Sequence, residues 1–224
     1  MLKRLLASAL IAGFAAGLIA ALLQISFVQP LLEMSELYES GRAVHFGADA
    51  TTTAVPGVEI DVRRVLFNVL FNVFAYAGYG LVLVAAMALA AERGLKFSLG
   101  TGVLFGLAGY AAVQFAPAFG LAPELPGNAA ADVGPRQIWW IATAVLTAGG
   151  LWLITFGSTN ATRLAGIGAL FIPHIIGAPH PTTFTGPAPP ELAALYATRA
   201  LGTGLVVWVI LGMVAAYIWE KDAT

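Results

Sequence analysis

The sequence predicts an all-α, polytopic helical membrane bundle with six hydrophobic segments, forming a single integral membrane domain over residues 1–224. Of the 224 residues, 59% are hydrophobic and only 10% are charged, and the mean hydropathy is +0.84. A soluble domain carries about 25% charged residues, so this chain cannot cover itself with a water-facing surface. Its apolar segments are continuous runs without the alternation of a β-barrel strand, which indicates helices.

The six segments are placed by apolar runs, most of which reach the about 20 residues that span a bilayer core. The first run follows Lys3 and Arg4 and is too long for a secretory signal, so we expect a retained helix with a cytoplasmic N-terminus. Glu33, Glu36 and Glu39 are expected to extend this helix by two turns. The expected segments are residues 5–28, 65–91, 99–118, 138–156, 164–178 and 195–219.

The fifth segment, residues 164–178, is short and contains Pro173 and three glycines. We expect a tilted helix, a broken helix or a re-entrant segment here. If all six segments cross, both termini are cytoplasmic, whereas a re-entrant fifth segment inverts the last one. Between the first two segments, residues 48–57 are expected to be irregular.

The acidic residues are unevenly divided if all six segments cross. Nine of them, together with all three histidines, then fall on the outer side of the membrane. An acidic, histidine-bearing outer surface is what a cation-collecting protein needs. The nine are Glu33, Glu36, Glu39, Asp49, Glu59, Asp61, Glu124, Asp132 and Glu191.

Two of the three histidines, His174 and His180, stand close together in the stretch PHIIGAPHP at residues 173–181. An ionisable residue in a membrane segment is a functional candidate by default. A break at Gly177 and Pro179 would let both imidazoles face one point. The alternative is a neutral His174 imidazole bonded to a carbonyl that Pro173 frees.

A metal site would need carboxylates beside the two histidines. Glu124, Asp132 or one of the three glutamates at 33, 36 and 39 could complete a nitrogen–oxygen ligand set. The third histidine, His45, is interpreted as a surface loop residue. Gln24, Asn68, Asn72 and Gln114 are polar residues in apolar spans, and we interpret them first as interhelical hydrogen-bonding groups and second as a hydrated path.

The absence of cysteine excludes several kinds of site. There can be no disulfide, iron–sulfur cluster, thiolate metal site or covalent c-type haem. Imidazole and oxygen ligands suit divalent cobalt, nickel, zinc or magnesium better than monovalent copper. No phosphate-binding loop, catalytic triad or zinc-binding histidine pair is present, so we expect no enzyme, and a net charge of −1 implies no nucleic-acid partner.

Three stretches together resemble one known family. They are VQPLLEMSELYE (28–39), FAPAFGLAPELPG (115–127) leading to RQIWW (136–140), and PHIIGAPHP (173–181). In this combination and order they are similar to the CbtA family, whose members are predicted components of cobalt transporters. By position, the recurring polar residues of the family are matched by Glu33, Glu36, Glu39, Glu124, Asp132, Arg136, His174 and His180.

The resemblance implies a five- or six-helix membrane protein that takes up cobalt beside CbtB, a small one-helix protein with a histidine-rich end. Many relatives carry a histidine-rich run in the first outer loop, where this chain has only His45. On the strength of the resemblance we expect uptake of a divalent cation, cobalt being favoured over nickel, in a bacterial cytoplasmic membrane. No tightly bound cofactor is expected besides the transported ion.

Two other functions stay open at this point. The chain could be a non-transporting accessory subunit that packs against a larger membrane complex through its apolar faces. His174 could also be an axial ligand for a haem or chlorin that such a complex supplies.

Overall fold

The computed structural model describes residues 2–45 and 61–221. The region expected to be irregular, residues 48–57, lies outside the described residues, as do Asp49 and Glu59. The described residues form six helices, which confirms the predicted all-α membrane bundle. The helices are α1 (Leu2–Glu39), α2 (Val62–Glu92), α3 (Leu99–Ala118), α4 (Val133–Phe156), α5 (Asn160–Ile176) and α6 (Pro190–Lys221).

Among the described residues, five helices are long and apolar enough to cross a membrane: α1, α2, α3, α4 and α6. The remaining helix, α5, has 17 residues and is continuous through Pro173. Each expected segment overlaps one of the six helices, and most of the helices continue past the apolar runs by a few residues. The extension of α1 through Glu39 is as expected.

Two helices contain a wider π-helical turn shortly before a proline. In α1 the turn is Gln24–Val28, followed by Pro30, and the Gln29 amide donates to the Gln24 carbonyl five residues back. Proline lacks an N–H and its ring crowds the carbonyl four residues earlier, so the preceding turn opens to relieve the clash. The π turn Ala111–Phe115 of α3 precedes Pro117 in the same way.

The chain divides into two compact units, which are described separately. Among the described residues the first unit contains residues 2–29, 61–110 and 202–221, and the second contains residues 30–45 and 111–201.

In the first unit, α1 packs tightly against α2 through small residues. A Cβ added at Gly13 would lie 2.5 Å from the Ala77 Cα, and one added at Gly17 would lie 2.6 Å from the Val73 Cα. Backbones can approach this closely only where side chains are absent, so the Gly13 and Gly17 pair serves close helix packing.

The N-terminal end of α1 also contacts the C-terminal end of α6 within the first unit. The Arg4 guanidinium donates to the Trp219 carbonyl and lies over the Trp219 ring, 4.2 Å from its centroid. Because Arg4 is near the start of α1 and Trp219 is near the end of α6, the start of α1 and the end of α6 lie at the same end of this unit.

In the second unit, α4 and α5 form an antiparallel pair joined by three residues. Thr159 caps α5 by accepting a hydrogen bond from the Thr162 amide at 3.2 Å. A Cβ added at Gly150 would lie 2.7 Å from the Gly166 carbonyl oxygen, so these two helices also approach closely. The end of α5 reaches the level of Trp139, whose Nε1–H donates to the Pro173 carbonyl at 3.1 Å.

Candidate metal site

One end of the second unit carries most of the polar residues that the sequence singled out. We call it the acidic end: residues 30–45, the loop 119–132, the last turn of α5, the loop 177–189 and the first turns of α6. A small hydrophobic core holds it together, made of Leu31, Leu125, Ala188 and Leu192, each at most 8% exposed. Stretches that are far apart in the chain are therefore brought to one place.

Hydrogen bonds between the loops of the acidic end add to this core. The Ala129 amide donates to the Thr185 carbonyl at 2.8 Å, and the Ser35 hydroxyl reaches the Pro126 carbonyl at 3.5 Å. Gly127, at a φ of 80°, lies so close to Glu39 that an added Cβ would be 3.2 Å from the Glu39 Cγ. A side chain at this position would be strained and would also crowd its neighbours.

The three glutamates of α1 lie on its last turns. Glu33 and Glu36 are half-buried and share a helix face at a spacing of three residues, whereas Glu39 is exposed. The helix that carries them is fixed by Leu31 in the core of the acidic end.

The two acidic residues around the loop 119–132 differ in their surroundings. The Oε2 of Glu124 accepts a hydrogen bond from the Arg136 guanidinium at 2.7 Å, and both side chains are about one-third exposed. This ion pair ties the loop to the first turn of α4 and neutralises the Glu124 charge. Asp132 immediately precedes α4, is exposed, and makes no capping hydrogen bond with its side chain.

His174 lies in the last turn of α5, is exposed, and has two aromatic neighbours. Its ring meets Phe119 edge to face with centroids 5.9 Å apart and meets Trp139 at 6.0 Å. The carbonyl of Pro173 is taken by the Trp139 indole and the Gly177 amide. The imidazole therefore has two aromatic rings as neighbours, while the residue as a whole remains exposed.

His180 follows α5 in the loop 177–189, after Gly177 turns the chain at a φ of 86°. Its ring neighbour is Phe184, with centroids 6.1 Å apart. The two histidines therefore have separate aromatic neighbours. Within residues 2–45 and 61–221 no three histidine or acidic side chains are grouped so that they could hold a metal ion, and the predicted ligand set stays a prediction. His45 is half-buried just after α1.

The sequence did not indicate the aromatic neighbours of His174. Trp139 and Trp140 were visible as an aromatic pair at the start of a span, but consecutive residues face different directions on a helix. The structure assigns the buried position, 7% exposed, to Trp139.

In the first unit, the polar residues of α1 and α2 form interhelical hydrogen bonds, as predicted. The Gln24 Oε1 accepts from the side-chain amides of Asn68 and Asn72 at 3.2 Å each. Asn72 is only 2% exposed, so the bonds satisfy an amide that the membrane interior could not hydrate.

Comparison with known proteins gives one match. A family model described as CbtA, probable cobalt transporter subunit, matches residues 2–220. No curated protein and no solved structure matches significantly. The match covers nearly the whole chain and agrees with the helical membrane architecture. The chain is therefore a multi-pass membrane protein that belongs to the CbtA family of probable cobalt transporter subunits.

Proposed function

We propose that this protein mediates uptake of a divalent transition-metal cation, cobalt being favoured, and that the ion enters at the acidic end of the second unit. The observation that carries the proposal is the gathering of α1, two loops and α5 at one end. That end bears the glutamates 33, 36 and 39, Asp132, and both His174 and His180.

The chemistry of these groups fits two steps. Carboxylates at an entrance raise the local concentration of a hydrated cation through long-range attraction. An imidazole nitrogen then replaces a water molecule bound to an ion such as cobalt or nickel, for which nitrogen ligands are well suited. His174 is the better placed of the two histidines for this exchange because it lies on α5, where its ring contacts both Phe119 and Trp139.

A partner is part of the proposal. The name of the family implies one component of a larger complex. We propose a small, histidine-rich, one-helix protein of the CbtB type, which would bring further imidazoles to the acidic end and complete a ligand set. A larger membrane complex is the alternative partner, and this chain would then have a non-transporting accessory role.

We place the protein in a bacterial cytoplasmic membrane with both termini in the cytoplasm. Lys3 and Arg4 favour a cytoplasmic N-terminus. The contact between Arg4 and Trp219 supports an even number of crossings, because it brings the two ends of the chain together. This makes α5 the fifth of six crossings.

The energy for uptake can come from the membrane potential. The sequence has no nucleotide-binding motif. A divalent cation that moves inward through 100 mV gains about 4.6 kcal/mol, which suffices for modest accumulation.

The test is uptake of radiolabelled cobalt by cells that express this chain, with and without a CbtB-type partner. We expect uptake that depends on the chain, is strengthened by the partner, and is inhibited by excess nickel more than by magnesium. A variant with Glu33, Glu36 and Glu39 all changed to Gln should need several-fold more cobalt for the same rate. Uptake that is absent under both conditions would contradict the proposal and favour the accessory role.

A further inference from the structure

Two side-chain oxygens inside the second unit are buried without a hydrogen-bond partner among the described residues. They are the Oγ1 of Thr147, a residue that is 4% exposed, and the Oε1 of Gln114. Buried polar atoms in proteins are nearly always paired, so each exception needs an explanation. Inside a membrane an unpaired polar oxygen has no water to bind, so a ligand that pairs with both oxygens would stabilise the protein.

The two oxygens belong to helices that pack together. Trp139, Thr143 and Thr147 recur at four-residue spacing on one buried face of α4. The π turn Ala111–Phe115, which contains Gln114, packs against α4. Thr143 donates its hydroxyl proton to the Trp139 carbonyl at 2.8 Å, and its oxygen can still accept or coordinate.

A main-chain oxygen of α5 joins this set. Pro173 has no N–H, so the carbonyl of Ala169, four residues earlier, lacks its usual helical donor. Pro173 lies level with Trp139, and Gly166 lies level with Gly150. By this antiparallel register, Ala169 lies opposite the part of α4 between Thr143 and Thr147.

These groups lie within the membrane-spanning helices of the second unit, with Thr147 nearest the middle of its span and Gln114 four residues before the end of α3. At about 1.5 Å per residue, Thr147 is about 12 Å from Trp139 and about 13 Å from Phe156, the end of α4. Secondary transporters bind their coupling ions inside the membrane, where carbonyls freed from helical hydrogen bonds act as ligands. Here α3 and α5 are continuous, but the proline of α5 leaves one carbonyl without its usual donor, and the π turn of α3 widens that helix beside α4.

The chemistry of the set favours a monovalent ion. Every member is a neutral oxygen from a hydroxyl, a side-chain amide or the main chain. The desolvation cost of an ion rises with the square of its charge, so a divalent cation here would need carboxylates to compensate it. The spans of α3, α4 and α5 contain none between residues 99 and 118, 138 and 156, or 164 and 176.

We propose that the side-chain oxygens of Gln114, Thr143 and Thr147 and the main-chain oxygen of Ala169 form a sodium-binding site inside the membrane-spanning part of the second unit. Such a site would let an inward sodium gradient drive metal uptake. Only this coupling role rests on the proposed function, because sodium binding can be measured without a transported metal.

The test is the midpoint of thermal unfolding of the purified protein in detergent, in sodium chloride and in choline chloride of equal ionic strength. A site that sodium saturates about a hundredfold over its Kd should raise the midpoint by about 5 °C. Thr147→Val keeps the shape of the side chain and removes its oxygen, so the variant should fold and the sodium-dependent rise should disappear. Thr143→Val should reduce the rise.

Thr155→Val is the matched control. Thr155 lies on the same helix, is exposed, and donates its hydroxyl proton to the Leu151 carbonyl at 2.8 Å. This variant should keep the full rise. An equal midpoint in sodium and choline for the unmodified protein, or an undiminished rise in Thr147→Val, would overturn the site. Cobalt is absent from the measurement, so failure of the uptake proposal would leave its outcome unchanged.

Discussion

Trp139 connects two elements of the second unit and also borders His174. Its indole N–H donates to the Pro173 carbonyl at 3.1 Å, and its ring centroid is 6.0 Å from that of the imidazole. One residue thus fixes the end of α5 against the start of α4 and places the histidine at the acidic end. The sequence shows Trp139 and Trp140 side by side but not which of them is buried, since that depends on how α5 packs.

Replacing Trp139 by Phe separates the hydrogen bond from the ring contact. Phe keeps an aromatic ring beside His174 but has no donor for the Pro173 carbonyl, so we expect a loss of about 1 kcal/mol in the free energy of unfolding. Urea or thermal unfolding in detergent measures it. Trp140→Phe, at the neighbouring half-buried position, is the control and should change stability less. Equal losses in the two variants would contradict a specific role for the Trp139 bond.

The helices themselves could be predicted well from apolar runs, because a bilayer imposes a length and a composition on each crossing. Their irregularities could not. Pro30 and Pro117 are visible in the sequence, but a helix can accommodate a proline by kinking, by ending or by opening a π turn. Here both helices open a π turn before the proline, after which α1 continues to Glu39 whereas α3 ends one residue later, at Ala118. Neighbouring helices decide between these outcomes, and a single sequence does not reveal how they pack.

The close contact between α1 and α2 predicts that two glycine-to-alanine changes have opposite effects on the free energy of unfolding. Gly13→Ala would place a Cβ 2.5 Å from the Ala77 Cα, so the helices must separate, and we expect a loss of about 1–3 kcal/mol in the free energy of unfolding. Gly78→Ala is the same change on α2 at a position with no heavy atom within 4 Å. There the higher helix propensity of Ala should make the change neutral or stabilising by up to about 1 kcal/mol.

Thermal unfolding of both variants in the same detergent provides the comparison. If Gly13→Ala were as stable as Gly78→Ala, the close approach of α1 and α2 through Gly13 would be wrong.

The architecture as a bundle was predictable, and the metal site was not. Hydropathy alone placed all six helices, and the short fifth segment proved to be a continuous helix. The ligand residues were chosen from residue type and family resemblance, which carry no information on distance. Glu124 illustrates the limit: a carboxylate that looked available for a metal is held by Arg136 at 2.7 Å.

The topology can be tested with the chain as it is, because it contains no cysteine. Single cysteines at Lys3, Lys221 and Ala122 report on the two ends and on the loop 119–132. With six crossings and a cytoplasmic N-terminus, an impermeant maleimide should label Ala122→Cys in intact cells. It should label Lys3→Cys and Lys221→Cys only after the membrane is opened. Labelling of just one of the two ends in intact cells would contradict an even number of crossings.

The decisive measurement is cobalt uptake into proteoliposomes that contain the purified protein, with its partner where cell uptake requires one, comparing His174→Ala with Ile175→Ala. Ile175 is the next residue of α5 and is 82% exposed, so its change controls for alteration of the helix end. We expect Ile175→Ala to transport like the unmodified protein and His174→Ala to lose at least tenfold in rate at low cobalt. An unchanged rate in a folded His174→Ala variant would contradict the proposal that this histidine lies on the path of the ion.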